Sequence, residues 1–310
     1  MFRVATYVFM DLETTGLPSE EIGKTRITEI SFVAVKRDHV LETAPGKVPR
    51  MQHKITLCLN PMRVIQPSVT EVTGLCNDLL EFEPTFKIDV FNTLNTFLNI
   101  LTKPVCLIAQ NGLGFDFPIL KNHIERLGEK FADDVLCADC YHGFYDILEE
   151  LKLSFKDPSL QDVSEENSGN KSSACEAVLQ KNNIILSDSK NECAIAYDHN
   201  LFVENTLAMK SINEVTPRKS NLPALNKMSK ARRRFPWSKG NKPKEKYKLK
   251  DVYERLLNRN APEAHRAEND SVMALECAVV LSKQFVKWVD ENCIPFVDIQ
   301  PMTPGVPLGM

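Results

Sequence analysis

Three short segments of strand character open the chain. Val4 to Leu12, Thr28 to Val35 and Lys54 to Leu59 are rich in β-branched and aromatic residues, and the first of them alternates. The connections between them are short, polar and contain Pro and Gly, which favours an antiparallel meander. The period then changes: Val90, Phe91, Leu94, Phe97, Leu98 and Leu101 recur at helical spacing and predict a helix over Ile88 to Leu101. Val105 to Ala109 and Val135 to Ala138 are continuous apolar runs, as expected of strands covered on both faces. A helix is expected after each, Phe117 to Leu127 closed by Gly128, and Tyr141 to Leu151.

From Ser154 to Lys246 the pattern dissolves. Ser, Asn, Asp, Glu and Lys dominate, so 154–246 is read as a flexible, mostly disordered polar insertion, relieved by a weak apolar patch at Asn182 to Leu186. Order is expected to resume at Tyr247 to Leu257 and in one long helix from Asn269 to Val289. The end of the chain, with four prolines and two glycines between Ile294 and Met310, is expected to be extended. Residues 1–153 and 247–302 then make a single domain, with 303–310 as a tail. Three antiparallel strands followed by β-α-β-α units predict an α/β fold, a mixed five-stranded sheet flanked by helices that resembles the ribonuclease H architecture.

Composition narrows the field. The chain has 310 residues, 43% hydrophobic and 25% charged, enough for one substantial core. Net charge is only −3, so a nucleic-acid partner has to be held by a local basic patch rather than by the overall field. No run approaches the roughly 18 to 20 apolar residues of a membrane span, and the start lacks a signal-peptide layout. The expectation is an intracellular protein of cytoplasm or nucleus, neither secreted nor membrane-bound. Nine scattered cysteines, an odd number, suit reduced thiols. Cys137-Ala138-Asp139-Cys140 has no second Cys or His pair at ligand spacing and reads as thiols buried beside a strand.

Three motifs carry candidate chemistry. In Phe9-Met10-Asp11-Leu12-Glu13-Thr14-Thr15-Gly16-Leu17, Asp11 and Glu13 stand two apart on a strand and share a face. Two neighbouring anions there are costly unless a cation neutralises them, although a charged strand end leading into a Gly16 turn would look the same. In Gln110-Asn111-Gly112-Leu113-Gly114-Phe115-Asp116, a Gly-containing loop follows a buried strand, where α/β sheets place sites. Asp116 is equally well placed to cap the helix that begins Phe117-Pro118. In His265-Arg266-Ala267-Glu268-Asn269-Asp270, Asp270 lines up with Ala274, Cys277 and Leu281 on the face its helix buries. It is either a ligand or a first-turn acid favoured by the helix dipole, and His265 is then a base or an ordinary loop histidine.

Taken together, four carboxylates in the order Asp11, Glu13, Asp116, Asp270 with a His five before the last resemble the DEDDh exonuclease family. The resemblance extends to its TREX-type three-prime repair exonucleases through Asp11 to Pro18, Val72-Thr73-Gly74-Leu75, Asn111-Gly112 with Phe115 to Pro118, Tyr253 to Asp270, Trp288 to Glu291 and Pro295-Phe296. It covers Tyr7 to Lys152 and Tyr247 to Met302. It implies a 3′-to-5′ DNA exonuclease that releases nucleoside 5′-monophosphates with little sequence preference. Two Mg²⁺ or Mn²⁺ ions would be held by Asp11, Glu13 and Asp270, with Asp116 supporting the second, and would clamp the scissile phosphate. His265 would take the proton from the attacking water.

By the same resemblance, Thr14, Leu17 and Val72 would contact the terminal 3′ nucleotides together with His265; plain core packing is the other reading for Leu17 and Val72. The DNA would be single-stranded or a frayed duplex end, and the enzyme a homodimer. One departure is Gly114, where the TREX pattern usually has a basic residue. A basic run, with Arg232, Arg233, Arg234, Lys239, Lys242 and Lys244, stands where some relatives carry an arginine-rich DNA-binding loop; a nuclear-localisation segment or a solvated linker are its alternatives. Two rival functions stay open: a DEDDh exoribonuclease acting on RNA ends, and a nucleic-acid-binding protein without catalysis.

Overall fold

The structure, a computed structural model, describes residues 3–154, 245–262 and 265–303. Strands β1 (Thr6–Thr14), β2 (Ile27–Lys36) and β3 (His53–Cys58) form the expected antiparallel meander. Strands β4 (Val105–Ala109) and β5 (Leu136–Asp139) extend the sheet in parallel on the other side of β1. The sheet has six strands rather than five, in the order β3-β2-β1-β4-β5-β6. The added strand, β6 (Ile294–Pro295), opens the Pro-containing stretch expected to be extended and pairs with Leu136 and Cys137. Proline is tolerated there because an edge strand leaves one side without ladder bonds.

The helices are α1 (Arg37–Glu42), α2 (Pro67–Thr73), α3 (Asn77–Leu80), α4 (Ile88–Asn99), α5 (Asp116–Glu125), α6 (Cys140–Ser154), α7 (Leu249–Leu257), α8 (Ala267–Val280) and α9 (Ser282–Asn292). The single helix expected from Asn269 to Val289 is therefore two. Leu281, with φ −101° and ψ 23°, breaks it. Its side chain is fully buried, and it separates α8, buried nearly all round, from α9, buried on one face.

Alternation along β1 separates two cores. Tyr7 and Phe9, with Val33 and Val35 of β2, pack toward α6, α7, α8 and α9. Val8, Met10 and Leu12, with Ile30 and Phe32, pack toward α4 and α5. Each such side chain taken out of water contributes about 1.5–3 kcal/mol, so the register of β1 is fixed from both sides. Continuing the same alternation, Asp11 and Glu13 emerge on the α8 side of the sheet. Cys137 and Cys140 are buried.

The polar segment expected between 154 and 246 falls almost wholly outside the described residues, as do Asn182 to Leu186, the basic residues Arg232 to Lys244 and the last seven of the chain. Its two roots meet. Lys152, at the end of α6, donates to Glu149, to Glu245 and to Tyr247 Oη at 2.8, 2.7 and 3.1 Å, and Tyr247 Oη donates to Glu149. Arg255 of α7 reaches Glu245 at 2.6 Å and lies over the Tyr247 ring, 4.8 Å from its centre.

Candidate active site

Strand β1 outruns its parallel neighbour. Its pairing with β4 ends at Phe9, so Met10 to Thr14 overhang the sheet on that side. The amide of Leu12, left without a strand partner there, donates to Asp116 Oδ1 at 3.1 Å. Phe115 occupies the cap position of α5 and Asp116 is its first residue; the buried Asp116 carboxylate accepts from its own amide at the start of the helix as well as from the Leu12 amide of β1.

Asp11, Glu13 and Asp270 each present an oxygen within 4.8 Å of the others. Asp270 belongs to the first turn of α8, and Ala274, Cys277 and Leu281 on the same stripe are buried as expected. Burial, and then the charges of Asp116, Asp270, Glu13 and Glu29, raise the pKa of Asp11 well above the usual carboxylate range. Glu13 is pushed up to about 8, first by burial and then by Asp270 and Glu29, with Arg266 opposing. Burial also raises Asp270, against the pull of the His265 amide, and burial raises Asp116. A cluster of acids that resists ionisation is a cluster short of positive charge.

His265 has an exposed side chain and a backbone in the left-handed region, φ 69°. Its amide donates to Asp270 Oδ2 at 2.9 Å. Thr14 is buried, its hydroxyl donating to the carbonyl of Gly16 at 3.2 Å. The loop beyond is anchored through Thr15, which exchanges bonds with Arg26, donates to Glu21 at 2.7 Å, and accepts at its carbonyl from the amide of Gln66. That anchoring leaves Leu17 53% exposed, with Val72 of α2 51% exposed. Neither packs in the core.

Two residues of this centre escaped the reading of the sequence. Glu29, 1% exposed, stands opposite Glu13 in the β1–β2 register. It accepts from Arg266 Nε and Nη2 at 2.5–3.2 Å and from the amide of Ala267 at 2.9 Å, which caps α8 from a neighbouring strand. Asp139, at the end of β5, accepts from the amides of Asn111, Leu113 and Tyr141 at 2.9–3.1 Å and so holds the turn that leads to Asp116. In that turn Gly112 is required: a Cβ there would lie 2.7 Å from Ala109 and from the Phe117 ring. An acid inside an apolar strand was the available signal for Glu29, and Asp139 was hidden between two cysteines.

The carboxylates thus gather at the C-terminal end of a central strand of a mixed sheet. The family model described as Exonuclease (RNase T type) matches residues 8–174, more than half of the chain, and the chain belongs to that family. Human three prime repair exonuclease 2 is 38% identical over 144 residues, 44% of this chain and 60% of that protein. Bovine three-prime repair exonuclease 1 is 27% identical over 312 residues, 96% of this chain and 70% of that protein. The chain thus spans less than two thirds of the first relative's length. Among solved structures, an E. coli ExoI complex with single-stranded DNA shares 15% identity over 53% of this chain and 32% of that one, with a TM-score of 0.36. No helix among the described residues is long and apolar enough to cross a membrane.

Proposed function

We propose that this protein is a 3′-to-5′ exonuclease that removes nucleoside 5′-monophosphates from DNA ends with little sequence preference. The observation that carries the reading is the convergence of Asp11, Glu13 and Asp270 within 4.8 Å beside Asp116, in a chain of the exonuclease family. Similarity to the three prime repair exonucleases supports DNA as the substrate. The donor set is oxygen only and its acids are short of neutralising charge, which fits hard divalent cations. We assign two Mg²⁺ or Mn²⁺ ions to Asp11, Glu13 and Asp270, with Asp116 on the second. Bound there, they supply Lewis-acid polarisation of the scissile phosphate and offset the charge that builds up during displacement.

The chain's own residues do the rest. His265 takes the proton from the attacking water, and its exposed ring leaves room for water and phosphate to approach. The backbone at Thr14 meets the 3′-hydroxyl, while the exposed Leu17 and Val72 pack against the terminal bases. Contacts to base faces rather than edges account for weak sequence preference. Arg232, Arg233, Arg234, Lys239, Lys242 and Lys244 hold backbone phosphates of single-stranded or frayed ends. Neutralising the three arginines should weaken DNA binding and flatten its salt dependence.

We read the protein as a homodimer, supported by β3, which forms one edge of the sheet, and as intracellular, supported by cysteines without disulfides among the described residues. The deciding experiment digests end-labelled single-stranded DNA and a matched RNA with Mg²⁺ or with EDTA. Mononucleotide release from DNA 3′ ends, abolished by EDTA, is expected. Faster loss of the RNA would make the protein an exoribonuclease, and loss of neither would leave a binding protein.

A further inference from the structure

We infer that Glu29 and Arg266 are positioning residues for His265, an inference that rests on His265 acting as the base. The ring of His265 is exposed, so packing does not set its place. Its position comes from the backbone, which is held in the left-handed region, where a residue with a side chain seldom sits without external constraint.

Each residue of the joint is tied down separately. The His265 amide is on Asp270 Oδ2, and the Arg266 carbonyl accepts from the Asp270 amide at 3.0 Å. The Arg266 guanidinium grips Glu29 with Nε and Nη2, and the Ala267 amide takes the same carboxylate. In the first turn of α8, Glu268 is held from β3 by Lys54 at 3.0 Å and Thr56 at 3.2 Å.

Capping α8 through the Ala267 amide needs the Glu29 carboxylate but not the Arg266 guanidinium. A carboxylate buried as deeply as Glu29 sheds its water at a steep cost, and an apolar pair of similar volume is often as stable. Glu29 also adds an anion directly opposite Glu13, on the face where the cluster already repels itself. What the pair does supply is direction. A bidentate guanidinium–carboxylate contact fixes angle as well as distance. It originates on β2, the strand laddered to β1 through Asp11 and Glu13, so the joint bearing His265 is referenced to the strand that bears the ligands. With its oxygens occupied by Arg266 and Ala267, Glu29 serves as a tether.

A base displaced by an ångström loses about 100-fold in rate. The test measures kcat and KM on a single-stranded DNA oligonucleotide for Arg266→Ala, in the parent and in a His265→Ala background. In the parent, kcat should fall roughly 10- to 100-fold with KM little changed, and in the His265→Ala background the further loss should be under about 2-fold. Equal losses in both backgrounds would overturn the inference while leaving the proposed function in place. A His265→Ala enzyme as active as the parent would overturn both. Because Arg266→Ala strands a buried carboxylate, the double variant Glu29→Gln/Arg266→Ala is run beside it. A persisting loss at parental Tm supports positioning, and recovery of activity in the double variant would overturn it. Arg266→Lys, which keeps the charge but not the fork, should restore less than half of the lost rate on a logarithmic scale; full rescue would mean that charge alone matters.

Discussion

Asp11 and Glu13 lie on the central strand of the sheet, between two cores, whereas His265 lies on an exposed joint ahead of α8. The carboxylates need no device to aim them, because strand alternation and the register of β1 with β2 do so. The histidine has no such lattice and depends on side chains reaching over from β2 and from Asp270. In the proposed mechanism, the groups that hold a fixed charge cluster are built into the scaffold, and the group assigned to move a proton is tethered to it. The two regions should therefore fail differently.

The largest effect is expected at the strand. Asp11→Ala should lower kcat at least about 1,000-fold, since under the proposed function it removes a ligand from a centre that would contribute several kcal/mol to the transition state. His265→Ala should lose about 100-fold or more, the usual share of a general base, and leave Mn²⁺ binding by calorimetry unchanged. An Asp11→Ala variant that digests DNA as fast as the parent would end the metal reading.

This difference also explains what could be read in the chain. Asp11 and Glu13 were legible because period two is local, and Asp270 because its apolar stripe is local. The meander and the two buried parallel strands were legible for the same reason. Glu29 and Asp139 were not, because each acquires its role only from amides that folding brings from elsewhere: Ala267 for one, Asn111 and Leu113 for the other. Asp116 was read as a possible cap, which its place in the sequence allows; its bond to Leu12 depends on the overhang of β1 beyond β4 and could not be read locally. The short helices α1, α2 and α3 lack the length for a visible helical period, and β6, two residues long, carries no strand signal.

Titration sharpens the contrast next. Glu13 has a folded pKa of about 8 against an ordinary 4.5, and Asp11 is shifted in the same direction. Above that value folded and unfolded chains are both ionised and the repulsion is felt in full. As pH falls from about 8 toward 4.5 the folded chain takes up protons first, so the metal-free protein should gain stability over that window. Saturating Mg²⁺ or Mn²⁺ should flatten the slope, as read from Tm with metal and with EDTA.

On α5, buried His123 has the opposite sign. Burial, with Arg26 and Arg126, lowers its pKa from 6.5 to about 4. Its Nδ1 is bonded to the Ile119 carbonyl at 2.9 Å and its Nε2 is buried without a partner. The unfolded chain protonates first here, so stability is constant above pH 6.5 and falls between 6.5 and 4, by about 3 kcal/mol in all. With metal present to silence the carboxylates, urea unfolding should show this loss, and His123→Phe should abolish it.

The smallest effect is expected at Gly114→Arg, which restores a basic residue to the turn held by Asp139. A Cβ there would meet Asn111 Oδ1 at 2.7 Å, so the Asn111 side chain must swing away. Affinity for single-stranded DNA in EDTA should rise by up to about fivefold, and the salt slope should steepen by about 0.7.

The knot of Lys152, Glu149, Tyr247, Glu245 and Arg255 joins the end of α6 to the start of α7. Because the chain leaves and returns at one spot, the path of the sheet is complete without anything between 155 and 244. For the fold this spot is a port: a segment joined there can change in length at little entropic cost while both of its ends stay fastened.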